Sequence, residues 1–144
     1  DEVEPVKKTH IGPALMDLAA RAGRRAIIVI LSDFFADLDD LNEAIQRLRY
    51  DDHEVVLMQV LHKDEIEFDM PGTIRFVGLE DGREIDARPD DTRKAYLEAM
   101  AEFNARLEGI ANANQCERLV CNTSRDMAEL FADYLNSRLI RGLW

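Results

Sequence analysis

The stretch Arg25-Ala26-Ile27-Ile28-Val29-Ile30-Leu31-Ser32-Asp33 decides the fold. Its apolar residues run unbroken from Ala26 to Leu31, and every residue from Ile27 to Ile30 is β-branched. A strand covered on both faces reads this way, as parallel strands usually do, whereas a half-exposed strand alternates. The run stops at Ser32 and Asp33. Ligands of open α/β sheets bind beyond the carboxyl ends of the strands, which makes Asp33 the first candidate for a functional role. The same carboxylate could instead serve the turn and cap the helix that follows.

Beyond Asp33, Leu38, Leu41, Ile45 and Leu48 recur at helical spacing up to about Tyr50. Asp37, Asp39 and Asp40 crowd the start of this helix and Arg47 and Arg49 its end. The helix dipole favours that distribution, so the acidic cluster is explained without a metal. Asp51-Asp52-His53 makes a turn, and residues 54–61 form a second buried strand. Strand, helix and strand in this order predict a parallel pair with a right-handed crossover. His62 ends the second strand near the level of Asp33, and beside Lys63 and Asp64 it reads as a surface residue rather than a ligand.

Upstream, Pro13 and Gly23 bracket a helix with Ile11, Leu15, Leu18 and Ala22 on one face. Downstream, residues 64–72 read as irregular, and residues 73–79 and 83–87 alternate around Asp81-Gly82 as a small antiparallel hairpin. The longest helix opens at Pro89 and ends around residues 112–114, with Tyr96, Ala99, Met100, Phe103, Leu107 and Ile110 as its apolar stripe. Residues 118–122 form a third parallel strand near an edge. Thr123-Ser124-Arg125-Asp126 resembles a capping box for a last helix lined by Met127, Leu130, Phe131, Tyr134, Leu135 and Leu139. The expected fold is α/β and Rossmann-like: three layers, a short parallel sheet with helices on both faces, plus a small hairpin. Residues 1–144 read as one domain.

At 144 residues the chain can bury one sizeable core. Its formal charge of −11 argues against nucleic acid or an anionic membrane surface, which need basic footprints. An acidic surface suits a basic partner or a cation, and also simply keeps a protein soluble. Cys116 and Cys121 fall at positions of opposite parity around a strand, so buried thiols are expected rather than a bridge. No apolar run approaches spanning length and no secretory signal is visible, so a cytoplasmic location is expected. The chain opens on Asp1 without an initiator Met, which reads as processing or as a piece of something longer.

Most enzyme signatures are missing: there is no glycine-rich phosphate loop, nucleophile elbow or paired-His zinc motif, and no spacing proposes a Ser-His-Asp set. What remains is Thr9, in a loop before the first helix, and Asp33, at the tip of the next strand.

Here a resemblance enters. The segment KTHIGPALMDLA, followed by AIIVILSDFFADLDDLNEAIQRLRYDDHEVVLMQVL, resembles the C-terminal part of von Willebrand factor A-like domains. It is most similar to an uncharacterised bacterial group often encoded beside MoxR-type AAA ATPases. The segment RFVGLEDGREI and the helix holding Arg93-Lys94-Ala95-Tyr96-Leu97 are similar to that group too. The resemblance implies a non-enzymatic protein-interaction domain with an adaptor or assembly role beside a MoxR-type ATPase. It also implies that residues 1–144 are the C-terminal part of a larger domain. In metal-binding members an Asp-x-Ser-x-Ser strand, a loop Thr and a later strand-end Asp hold a divalent ion. Thr9 and Asp33 match the last two, whereas no Asp-x-Ser-x-Ser occurs here and Phe34 stands where the superfamily commonly has Gly. The pair is therefore a remnant of a metal site. No cofactor is expected for this chain, and Mg²⁺ only in a longer parent chain, since Mg²⁺ wants near-octahedral oxygen ligands. The first strand of the resembled domain is missing too, which would leave the strand at Ala26–Leu31 with a bare edge and predicts a homodimer.

Two alternatives belong to other classes. One is a Mg²⁺-dependent adhesion-type site complete only in the longer parent chain. The other uses Asp33 as a phosphoacceptor or phosphatase nucleophile. Receiver domains would want an acidic pair before the first strand and a later Lys, and the phosphatases a second Asp where this chain has Phe35.

Overall fold

The computed structural model of the chain describes residues 10–67, 75–77, 84–86 and 89–142. Strand β1 (Ile27–Ser32) lies parallel to β2 (Glu54–Leu61), which lies parallel to β5 (Glu117–Asn122), in the order β1-β2-β5. The register sets Val29 beside Val56 and Leu31 beside Met58, and on the far side Met58 beside Leu119. Helix α1 (Ile11–Arg21) precedes β1, α2 (Leu38–Tyr50) makes the crossover from β1 to β2, and α4 (Pro89–Ala113) and α5 (Met127–Arg141) flank β5 in the chain. The hairpin forms as β3 (Arg75–Val77) and β4 (Glu84–Asp86), antiparallel in a sheet of their own. The expected α/β architecture is the one observed.

The core has two compartments. On one face of the sheet, Ile28, Ile30, Val55 and Leu57 pack with Leu15 of α1, Leu41, Ile45 and Leu48 of α2, and Leu107 and Ala111 of α4. On the other, Val56, Met58 and Cys121 pack with Tyr134, Leu130 and Phe131 of α5. Both cysteines are free. Burial raises the pKa of each thiol, and at Cys116 the Arg49 guanidinium partly offsets this.

The expectation that β1 is covered on both faces is corrected. Ile28 and Ile30 are buried, but Ile27, Val29 and Leu31 are 44%, 38% and 49% exposed. The reason is the unequal layering: α1, α2 and α4 crowd one face, while the core compartment beneath α5 is formed with residues of β2 and β5 and, among the described residues, none of β1. An unbroken apolar run therefore marks β1 as a strand without marking its cover.

Local corrections follow the same logic. On α1 the inward stripe is Ile11, Leu15 and Ala19, while Leu18 is exposed. Gly23 stands just past the helix with φ +61, the left-handed value a glycine stop adopts freely. Residues 64–67 of the segment read as irregular belong to a short helix, α3 (Lys63–Glu67). Its start is closed reciprocally: the His62 N–H donates to Glu65 Oε2 (2.7 Å) and the Asp64 N–H to His62 Nδ1 (3.2 Å). A His filling the Ser/Thr role of a capping box left no sequence signal. On α5 the cap is Asp126, which accepts from the Ala128 N–H at 2.7 Å, not Thr123. Leu135 and Leu139 are exposed, and Arg138 takes the inward position below Tyr134. On α2 the capping expectation holds, with Asp37 accepting from the Asp39 and Asp40 N–H groups.

Because Ile45 is fully buried between α2 and the sheet while Glu43 is exposed, the two faces of α2 should respond differently to truncation. Ile45→Ala should cost about 2–5 kcal/mol in denaturant unfolding. Glu43→Ala should stay within about 0.5 kcal/mol. Equal costs would mean that α2 sits on the sheet with another face.

Candidate functional site

The chain leaves β1 through a turn whose geometry is set by Phe34. Its φ of +62° lies in the left-handed region, which costs a bulky residue about 1–2 kcal/mol. The ring is 1% exposed in the main core, and burying a Phe is worth about 1.5–3 kcal/mol, enough to hold the turn. Side chains close it: Ser32 Oγ accepts from the Phe34 N–H (3.0 Å) and Asp33 Oδ1 from the Phe35 N–H (3.0 Å). With Phe34 pinned inward, Asp33 and Phe35 both emerge on the surface. The Phe35 ring rests against Phe103 of α4, centroids 5.1 Å apart, and stays half-exposed. Asp33 thus does serve its own turn, and its carboxylate is presented to solvent beside an aromatic ring.

The same end of the sheet gathers other polar groups, each engaged locally. Asn122 Oδ1 accepts from the Ser124 N–H and hydroxyl, and the Tyr96 hydroxyl donates to the Glu65 carbonyl at 3.3 Å. Burial, and then the Glu65 carboxylate, raise the Tyr96 pKa. His62, read as a surface residue, is exposed and caps α3.

Thr9 lies outside the described residues. The start of α1, next to it, is held at this end of the sheet by Asp40 of the first turn of α2. Asp40 Oδ2 accepts from the Gly12 N–H at 3.1 Å, and His10 Nδ1 is 3.9 Å from the same oxygen. A Cβ on Gly12 would come 2.5 Å from Asp40 Oδ1, so glycine is what permits the approach. Among the described residues no three carboxylate, imidazole or thiol groups gather as metal ligands. Asp33 by itself is not a divalent-ion site.

A cavity of about 490 Å³ opens at the opposite end, between the amino ends of the strands. Arg138, 2% exposed, crosses its floor and donates to Glu54 and Glu117 at 2.6 Å each and to the Tyr134 hydroxyl at 3.2 Å. Arg141 also reaches Glu117 (3.0 Å). The Glu54 hydrogen bond raises the Arg138 pKa against the opposing effect of burial. These arginines and glutamates neutralise one another and fasten α5 to β2 and β5, so the cavity reads as a structural ion cluster. Sequence reasoning passed over Arg138. Its signal was phase: it lies four residues after Tyr134, and β2 and β5 each open on a glutamate.

The Asp40 contact can be tested by a double-mutant cycle. Gly12→Ala gains helix propensity of up to about 1 kcal/mol but displaces a hydrogen-bonded carboxylate worth about 0.5–1.5 kcal/mol. Its net effect should be near zero in the parent and stabilising in an Asp40→Ala background. Equal effects in both backgrounds would show that Asp40 does not hold α1.

The family model described as Protein of unknown function DUF58 matches residues 1–106, a span that includes Thr9, Asp33 and most of α4. No curated protein matches the chain, and no solved structure does. The chain belongs to the DUF58 family.

Proposed function

We propose that this DUF58-family chain is a non-enzymatic protein-interaction domain with an adaptor or assembly role beside a MoxR-type AAA ATPase. We read it as the C-terminal part of a larger von Willebrand factor A-like domain. The observation that carries the interaction role is the turn after β1. A buried Phe34 in a strained backbone is spent on presenting Asp33 and half-exposed Phe35 at the end of the sheet where α/β ligands bind. An aromatic anchor beside a carboxylate suits a basic, partly apolar protein segment. The von Willebrand-like reading draws support from the same turn, because the backbone at Phe34 has the conformation of a glycine, the residue common there in that superfamily.

Titrating the chain with a MoxR-type ATPase from the same genome, in the presence of ATP, tests the proposal. Phe35→Ala and Asp33→Ala should each weaken binding roughly tenfold, with circular dichroism unchanged. Affinity that neither substitution alters would move the partner away from this turn.

A second reading, an adhesion-type Mg²⁺ site completed only in a longer chain, is favoured by one observation: Asp40 brings the start of α1 to the end of the sheet that carries Asp33. It predicts that calorimetric titration of this chain with Mg²⁺ or Mn²⁺ shows nothing tighter than about millimolar, because among the described residues Asp33 belongs to no cluster of three ligating side chains. A stoichiometric micromolar site lost in Asp33→Ala would mean that the ligand set lies within these residues.

A further inference from the structure

The arginines at the amino ends of the strands do not all belong to the buried ion cluster. Arg138, Glu54 and Glu117 satisfy one another on the floor of the cavity, and Arg141 joins them through Glu117. Arg25, just ahead of β1, and Arg49, in the last turn of α2, line the same cavity. Arg49 donates to the His53 carbonyl at 2.9 Å. Among the described residues the Arg25 side chain has no hydrogen-bond partner, and neither guanidinium forms an ion pair. One carboxylate of the lining, Asp52, is also without an ion pair among the described residues. The described lining therefore carries four arginines against three carboxylates, in a chain of net charge −11. The backbone adds a second observation. Arg25 has φ +56°, a left-handed value that costs a residue with a Cβ about 1–2 kcal/mol. Asp52 and Gln115, at φ +63° and +55°, line the cavity too, but each closes a helix: their N–H groups donate to the carbonyls of Arg49 and Asn112. Arg25 closes none, since α1 has already stopped at Ala22 and Gly23. What its turn secures is the bond from the Ala26 N–H to His53 Nδ1 (3.1 Å) and the place of Arg25 on the cavity wall.

We propose that this cavity binds a small oxyanion, a phosphate or carboxylate group, between the Arg25 and Arg49 guanidinium groups and above the neutralised floor. The planar fork of a guanidinium matches both groups and holds them by charge-assisted hydrogen bonds. Arg138 is 2% exposed and fixed by two carboxylates, so it shapes the floor, while the two wall arginines keep N–H donors for a ligand. A volume of about 490 Å³ suits a small molecule, since such sites span about 300–1,000 Å³. The surrounding charge of −11 disfavours a large polyanion, so a short molecule with one or a few anionic groups is the occupant that fits. The cavity adjoins the carboxyl ends of α2 and α4, whose dipoles oppose an anion, and Asp52 opposes it as well. Affinity of about millimolar is therefore expected rather than micromolar. The walls include β2, β5 and α5 as well as the end of α2, so the site is formed within the sheet and not along the outer edge of β1.

Titrating the isotope-labelled chain at low ionic strength with inorganic phosphate and, separately, with citrate tests the proposal by amide chemical shifts. At least one of the two should give saturable shifts at Ala26, Asp52 and Gln115 with a Kd of about millimolar or tighter. A response to phosphate alone identifies a phosphate group as the ligand, and a response to citrate alone a carboxylate. Arg25→Gln alters an exposed side chain and should weaken binding roughly tenfold with circular dichroism unchanged. Asp52→Asn removes the opposing charge and puts in a residue that adopts the left-handed conformation readily, so it should tighten binding about threefold or more. A merely structural role for these residues would not move the affinity in opposite directions. No saturable response to either anion overturns the proposal. Saturable binding that Arg25→Gln leaves unchanged overturns it too, by placing the anion elsewhere.

Discussion

β2 is the strand on which the rest of the structure depends. Among the described residues it is the strand with a neighbour on each edge, and Val55 to Met58 are buried in succession. Its alternate side chains form the wall shared by both core compartments, Val55 and Leu57 on one side and Val56 and Met58 on the other. No single helix could cover it, because a helix buries a stripe against one face only. Even its polar residue conforms. Gln59 is fully buried and matched, donating to Asn104 at 3.0 Å and accepting from Arg118 at 2.6 Å, so α4 and β5 are registered through it. An amide left unmatched there would cost about 1–3 kcal/mol, which makes the network specific as well as tolerable.

The two ends of this sheet are built for different purposes. At the amino ends of the strands, charge is neutralised and closed in: Arg138 lies between Glu54 and Glu117, and His53, also buried, ties the start of β1 to that of β2. An ion cluster of this kind adds less net stability than its short distances suggest, because burying the guanidinium is costly. What it supplies is position, since α5 can shift along β2 and β5 only by breaking it. At the carboxyl ends, carboxylates and rings are instead held outward. There the chain accepts a left-handed Phe34 in order to expose Asp33 and Phe35.

The surface proposed for protein recognition is the turn after β1. Among the described residues β1 is paired on one side, by β2, and its side chains alternate between buried and exposed.

Apart from the short helix α3, sequence alone determined the element order, because periodicity and punctuation are local. The run from Ala26 to Leu31, the spacing of Leu41, Ile45 and Leu48, and Gly23 past its helix each carry their own signal within a few residues. It also singled out Asp33, from its place at a strand tip, and the helix-start role of the acidic cluster, in which the structure makes Asp37 the cap. Only the tertiary structure decided which faces are covered. The alternating exposure of β1, the inward Arg138, the buried His53, and Gly12 making room for Asp40 all depend on partners far away in the chain. An apolar side chain is compatible with either face of a sheet, and an arginine is compatible with burial once two carboxylates meet it. Which outcome occurs depends on what the other layers bring, and that information does not lie within any one stretch.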